Sequence, residues 1–158
     1  MIVDLGCGTV NRGDVRIDRT LEGTTATHAC WLGFERIPFE DNVADQVCAY
    51  DFLEHVPFLV YAREDGEWVE HRPGIFLIEE VWRVLKPGGI FDTYTPCAPR
   101  PEAFQDPTHV AFWTERTPLY FTAGHALRTR YNVQAVFKVL EHSVEKGTHL
   151  KCVMEAVK

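Results

Sequence analysis

The chain opens on an apolar run that stops at two glycines, Met1-Ile2-Val3-Asp4-Leu5-Gly6-Cys7-Gly8. A short buried strand ending in Gly-x-Gly lets backbone approach a ligand where a side chain would collide. Asp4 narrows the choice of ligand. A carboxylate beside the glycine turn repels a dinucleotide pyrophosphate but suits a ligand that carries an ammonium group. The position that would complete Gly-x-Gly-x-x-Gly is Asn11, so the nicotinamide fingerprint is broken.

Beyond this turn, apolar strand-like runs alternate with helical patterns, which predicts an α/β sheet with mostly parallel strands. Residues 2–5 read as the first strand and Val15 to Asp18 as the second. Only residues 6–14 join them, and Thr9 to Asp14 is turn chemistry rather than a crossover helix. The two strands are therefore expected side by side and parallel, with at most one helical turn between them. That leaves one side of the ligand pocket open to a partner subunit, a homo-oligomer included, or to the segment Arg63 to Gly74.

Residues 25–31 read as a weak third strand, 37–42 as a loop and 45–50 as a central strand. Phe52, Leu53, Val56 and Leu59 recur at helical spacing, and Arg63 to Gly74 reads as a charged, exposed loop. Pro73 opens a helix with an apolar stripe of Phe76, Leu77, Val81, Val84 and Leu85. Lys86-Pro87-Gly88-Gly89 stops it. Residues 90–95 form the next strand, a proline-rich loop runs from Pro96 to Pro107, and residues 133–140 and 150–157 are expected to pair antiparallel.

At 158 residues and 46% apolar content the chain reads as one domain, 1–158, able to bury a core without staples. A formal charge of −7 offers no basic stripe for phosphates, so nucleic acid is not an expected partner. The five cysteines, Cys7, Cys30, Cys48, Cys97 and Cys152, are odd in number and contain no Cys-x-x-Cys. They read as reduced thiols of a cytoplasmic protein. No leader pattern precedes the first strand, and no apolar run reaches membrane-spanning length.

Four segments in order carry a family resemblance: Val3-Asp4-Leu5-Gly6-Cys7-Gly8, Ile37-Pro38-Phe39-Glu40-Asp41-Asn42 with Asp45, Leu53-Glu54-His55-Val56, and Arg83 to Gly89. Together they resemble the motifs of class I S-adenosylmethionine-dependent methyltransferases, over about the first two thirds of the chain. Ala103 to Val110, with its Asp-Pro-Thr-His, is similar to a subgroup of bacterial methyltransferases inferred from sequence, whose acceptor is not established. The resemblance implies a Rossmann-like sheet of seven strands, mostly parallel with an antiparallel C-terminal strand, here shortened at the N-terminus.

It also implies a cofactor site. Asp4, Gly6, Cys7 and Gly8 would shape the methionine end of S-adenosylmethionine, Asp18 would accept hydrogen bonds from the ribose hydroxyls, and Tyr50 would lie at the end of the central strand beside the cofactor. Two family features are missing: a third glycine near Val10, and an acid before the Pro-Phe loop that reads adenine. His28, Cys30, Trp31 and Leu32 stand there instead, so adenine is expected against Trp31, Leu32 and backbone groups.

The reaction expected is methyl transfer to a small-molecule or glycan-like oxygen or nitrogen. In-line displacement relies on positioning, and a base is needed only for a nucleophile that must lose a proton. His109, His55 and Asp51 are the candidates. On a helix, Asp51, Glu54 and His55 at i, i+3 and i+4 would share a face, with His109 descending onto it. This set is similar to the Glu-x-x-Glu-His of metal-dependent methyltransferases, but Leu-Glu-His-Val is widespread in metal-free relatives. The expected site is a metal-free polar acceptor pocket. The competing expectation is a cofactor-binding accessory or regulatory subunit that does not catalyse.

Overall fold

A computed structural model describes residues 1–158. Nine strands and two α-helices follow in the order β1 (Ile2–Leu5), β2 (Val15–Asp18), β3 (His28–Ala29), β4 (Ala44–Tyr50), β5 (Val60–Glu64), β6 (Glu67–His71), α1 (Pro73–Val84), β7 (Leu85–Pro96), α2 (Ala126–Arg130), β8 (Phe137–Glu145) and β9 (His149–Ala156). Seven strands make one sheet in the order β3-β2-β1-β4-β7-β9-β8, and β5 and β6 form a separate hairpin. The pairs from β3 to β7 are parallel, whereas β9 lies antiparallel between β7 and β8. This is the mostly parallel α/β sheet with antiparallel closing strands that the sequence predicts.

The register explains which side is core. Val3 pairs with Val47 and Leu5 with Ala49, and these side chains share a face with Ile17, Phe91 and Met154. Helix α1 packs on that face through Leu77, Ile78, Val81 and Val84, all buried. Pro73 occupies its first turn, where a missing N–H costs nothing. Pro87 pushes Lys86 out of the helical region, and pairing between β4 and β7 is interrupted between Leu85 and Ile90, where Gly88 adopts φ +76°.

The opposite sheet face carries no helix. Gln46, Tyr50, Ile90, Asp92, Tyr94, Lys151, Val153 and Glu155 are half-buried along it. The link between β1 and β2 is irregular, without a helical turn, and the two strands pair directly in parallel. The short, helix-free link expected between these strands is therefore present.

Four expectations need correction. The third strand is only His28–Ala29 rather than residues 25–31. The helical spacing from Phe52 to Leu59 yields a single 3-10 turn at Leu53–His55, because Asp51 enters at φ +49° and Pro57 bars Val56 from the helical region. Arg63 to Gly74 is no loop: it holds most of the β5–β6 hairpin, turned at Asp65-Gly66 with φ of +48° and +90°, and the start of α1. Glu70 and His71 of the hairpin wall a hollow with Gly33, Phe34 and Tyr131. The eighth strand also runs later than expected, with Val133 and Ala135 buried ahead of it, whereas β9 lies within one residue of its expected place.

Arg83 fastens the Pro-Phe loop to α1. Its guanidinium donates to the carbonyls of Ile37 and Phe39 and to the carboxylates of Asp41 and Glu80. Glu80 in turn accepts the Ile37 N–H at 2.9 Å. The Ile37 to Asn42 motif is thus held by charge-assisted hydrogen bonds at a mostly buried site.

Candidate functional site

The glycine turn is stitched to the end of β2. The Gly6 and Cys7 amides donate to the Ile17 carbonyl, and the Gly8 carbonyl accepts from the Thr25 amide. Gly6 sits at φ +63°, and a Cβ there would lie 2.2 Å from the Phe52 ring. Gly8 sits at φ +51° with nothing within 4 Å of its would-be Cβ. Gly6 is therefore small for packing, and Gly8 leaves an open approach to backbone. Cys7 is buried, and burial pushes its thiol above the usual range.

Asp18 closes the turn. One carboxylate oxygen accepts the Gly8 amide at 2.9 Å and the other the Arg19 amide at 2.7 Å. Each oxygen keeps a further lone pair, which is what two neighbouring hydroxyls would need. Asp18 and Arg19 line a cleft of about 220 Å³ with Trp31, Leu32, Phe52 and His55. Leu32 is buried, while Trp31 is half exposed with the Arg19 guanidinium 4.8 Å above its ring.

Asp4 is the anomaly of the site. It is fully buried at the end of β1, and neither carboxylate oxygen has a hydrogen-bond partner. Its nearest cation is Arg12, 4.0 Å away. Burial pushes its carboxyl up to about 6, with Arg12 and Arg16 opposing. An unpaired buried carboxylate costs stability that a ligand cation could restore.

Tyr50 belongs to a different hollow. Its hydroxyl donates to Asp92 at 2.6 Å, Lys151 pairs with that same carboxylate, and Arg12 lies over the ring at 4.9 Å. Burial, then the bond to Asp92, pushes the phenol up to about 12. This hollow of about 330 Å³ also takes in Asp51, Tyr94, Glu145 and Lys146. The structure thus does not bring Tyr50 to the cleft that holds Asp18, Trp31 and Leu32.

Asp51 also parts from its neighbours. At φ +49° its carboxylate turns to His149, 3.2 Å away, which stacks on Tyr94. The shared helix face expected for Asp51, Glu54 and His55 is absent. Glu54, His55 and His109 do converge. The amides of Val110 and Ala111 donate to the Glu54 carbonyl, docking the Asp-Pro-Thr-His loop on the 3-10 turn. The His55 and His109 rings meet edge to face at 4.9 Å, and His109 Nε2 lies 3.9 Å from Glu54 Oε1. Burial pushes the Glu54 carboxyl above its usual range, against a hydrogen bond from Thr95.

The sequence assigns no functional role to Arg12, Thr95 or His149. Nothing local marks them: Thr95 on β7 and His149 on β9 meet Glu54 and Asp51 only across the sheet, and Arg12 meets Asp4 and Tyr50 only once β1 and β4 are paired.

No protein-family model matches the chain, and no curated protein matches it in sequence. Solved structures do. A SAM-dependent methyltransferase from Aquifex aeolicus is 14% identical, with a TM-score of 0.57 over 99% of this chain and 81% of that one. One from Methanosarcina mazei is 15% identical, with a TM-score of 0.54 over 99% and 92%. The [4+2]-cyclase SpnF is 13% identical, with a TM-score of 0.58 over 99% and 74%. These likenesses establish the fold, a Rossmann-like sheet shared with class I methyltransferases.

Proposed function

We propose that the chain binds S-adenosylmethionine and transfers its methyl group to a small-molecule or glycan-like acceptor. Methyltransferases among the structural neighbours support methyl transfer in general, while the cyclase neighbour shows that one fold carries other chemistry. The observation that carries the proposal is Asp4: a buried carboxylate without a hydrogen-bond partner, its one nearby cation at 4.0 Å, close to a glycine whose backbone is open.

The residues present fit the cofactor. Asp4 would face its ammonium group, the Gly8 backbone would pass its methionine chain, and Asp18 would accept from its ribose hydroxyls. Trp31 and Leu32 would flank adenine, with Arg19 shifting off the indole. When bound, the cofactor supplies an electrophilic methyl on a sulfonium. His55 walls the same cleft and touches His109, so this pair marks the side on which an acceptor would enter. A hydroxyl nucleophile must shed a proton there, and His109 or His55 would take it, whereas Asp51 is turned away to His149.

Calorimetric titration with S-adenosylmethionine, followed by a screen for S-adenosylhomocysteine release against pooled acceptors, tests the proposal. Binding with turnover is expected. Binding without turnover across the pools favours an accessory subunit, and no binding removes the cofactor claim.

A further inference from the structure

Glu54, His55 and His109 each offer one ligand atom, and all three atoms lie within 4.8 Å of one another. Two contacts fix the protonation of the rings. His55 Nδ1 faces the Thr108 carbonyl at 3.2 Å, and His109 Nδ1 faces the Ala103 carbonyl at 3.2 Å. A carbonyl only accepts, so each Nδ1 carries the proton and each neutral ring keeps its lone pair on Nε2. The Thr108 hydroxyl donates to Asp106 at 2.6 Å, which leaves its oxygen as a further acceptor for His55.

The carboxylate is prepared in the same way. Glu54 is 2% exposed, and its Oε2 accepts the Thr95 hydroxyl at 2.7 Å while Oε1 is directed to His109. A histidine and a carboxylate that served only each other would close to a hydrogen bond of about 2.7–3.0 Å. They stand instead 3.9 Å apart. Around a metal with bonds of about 2.0–2.2 Å, neighbouring ligand atoms lie roughly 3–3.4 Å from one another. Shifts of an ångström or so would bring the three donors to that spacing.

We propose that Glu54, His55 and His109 form a binding site for one divalent first-row metal ion, against the metal-free expectation drawn from the sequence. Two imidazoles and one carboxylate, each held by an outer hydrogen bond, match the three-ligand sets of open zinc and iron sites. His109 is nearly enclosed, whereas His55 is exposed and walls the Asp18–Trp31 cleft. The remaining coordination positions are therefore reachable by water or by an oxygen of an acceptor. In this arrangement His109 is a ligand rather than a free base. The inference does not depend on the cofactor assignment.

Protein stripped with chelator and then titrated with Co²⁺ and Zn²⁺ tests the site, through visible d–d absorption for the first and calorimetry for the second. One equivalent is expected to bind, with affinity falling at least ~tenfold in His55→Ala and in His109→Ala. Glu54→Gln should do the same. Because Glu54 is buried and that variant is at risk of misfolding, the two histidine variants, checked by circular dichroism, carry the decision. His71→Ala and His142→Ala, distant exposed histidines, should leave binding unchanged. Absence of binding to the stripped parent overturns the proposal, as does binding that survives loss of both His55 and His109. S-adenosylmethionine titrated into the same stripped sample reads the cofactor assignment separately.

Discussion

Replacing Asp4 with asparagine sets stability against recognition. The carboxyl climbs from 3.8 to about 6 on folding. At about 1.36 kcal/mol per tenfold, the ionised form costs the folded chain about 3 kcal/mol. The folded state binds the proton more tightly than the unfolded one, so this cost is full above about pH 6 and gone by pH 3.8. Asparagine keeps the shape and removes the charge, although its amide is still short of partners. A gain of about 1–3 kcal/mol near pH 8 is expected, which for a chain of this size raises Tm by roughly 2–4 °C per kcal/mol. Parent and variant should converge as the pH falls towards about 4. The same substitution should weaken S-adenosylmethionine binding at least ~tenfold, since an ammonium loses its counter-charge. Thermal melts across pH, paired with calorimetry, read both effects. An Asp4→Asn protein that is less stable near pH 8 and binds the cofactor as well as its parent would refute the reasoning.

Other substitutions separate the remaining roles. Asp18→Ala should cost cofactor binding about 1.5–3 kcal/mol by calorimetry while circular dichroism stays native; unchanged affinity would take Asp18 out of the site. Gly6→Ala meets the Phe52 ring and should lower stability by about 1–3 kcal/mol in urea unfolding. Gly8→Ala, with open space around it, should lose only about 1 kcal/mol of stability but much more of cofactor affinity, and the reverse ranking would undo this division. Arg83→Met leaves the Glu80 carboxylate buried without its main partner and should destabilise by about 3–5 kcal/mol in the same unfolding assay.

The strands that end in glycine or carry a one-sided apolar pattern were legible: β1, β2, β4 and the α1–β7 pair fall where the sequence places them, because burial on one face writes period into the chain. The β5–β6 hairpin was not. Its apolar residues bury little, with Val60, Ala62 and Val69 only half-buried and Tyr61 and Trp68 exposed, so charged neighbours dominate the segment and only Asp65-Gly66 announces the turn. Phe52 to Leu59 misled in the opposite way: its apolar residues serve packing around a 3-10 turn, and Pro57 outweighs their spacing. At the site, the convergence of His55 with His109 was readable from motif order. Alternation puts Tyr50 on the same sheet face as Asp4 and Asp18, but it lines a separate hollow because its hydroxyl is drawn to Asp92 and Lys151, partners more than forty residues away that nothing local announces.

The short β3–β2 edge gives the fold an uneven clock. β2 and β3 hold the edge with four and two residues, against twelve in β7 and eight in β9 at the interior. Opening free energies grade with such support, so amide protons of residues 15–18 exchange with solvent well before those of 90–95. Asp18 rides on the early-opening side. A ligand spanning Gly8 and Asp18 would act as an added rung on this edge, and its arrival would register as slowed exchange along β2. Entry to the cleft then requires no hinged lid, since the breathing of a short edge strand already supplies the door.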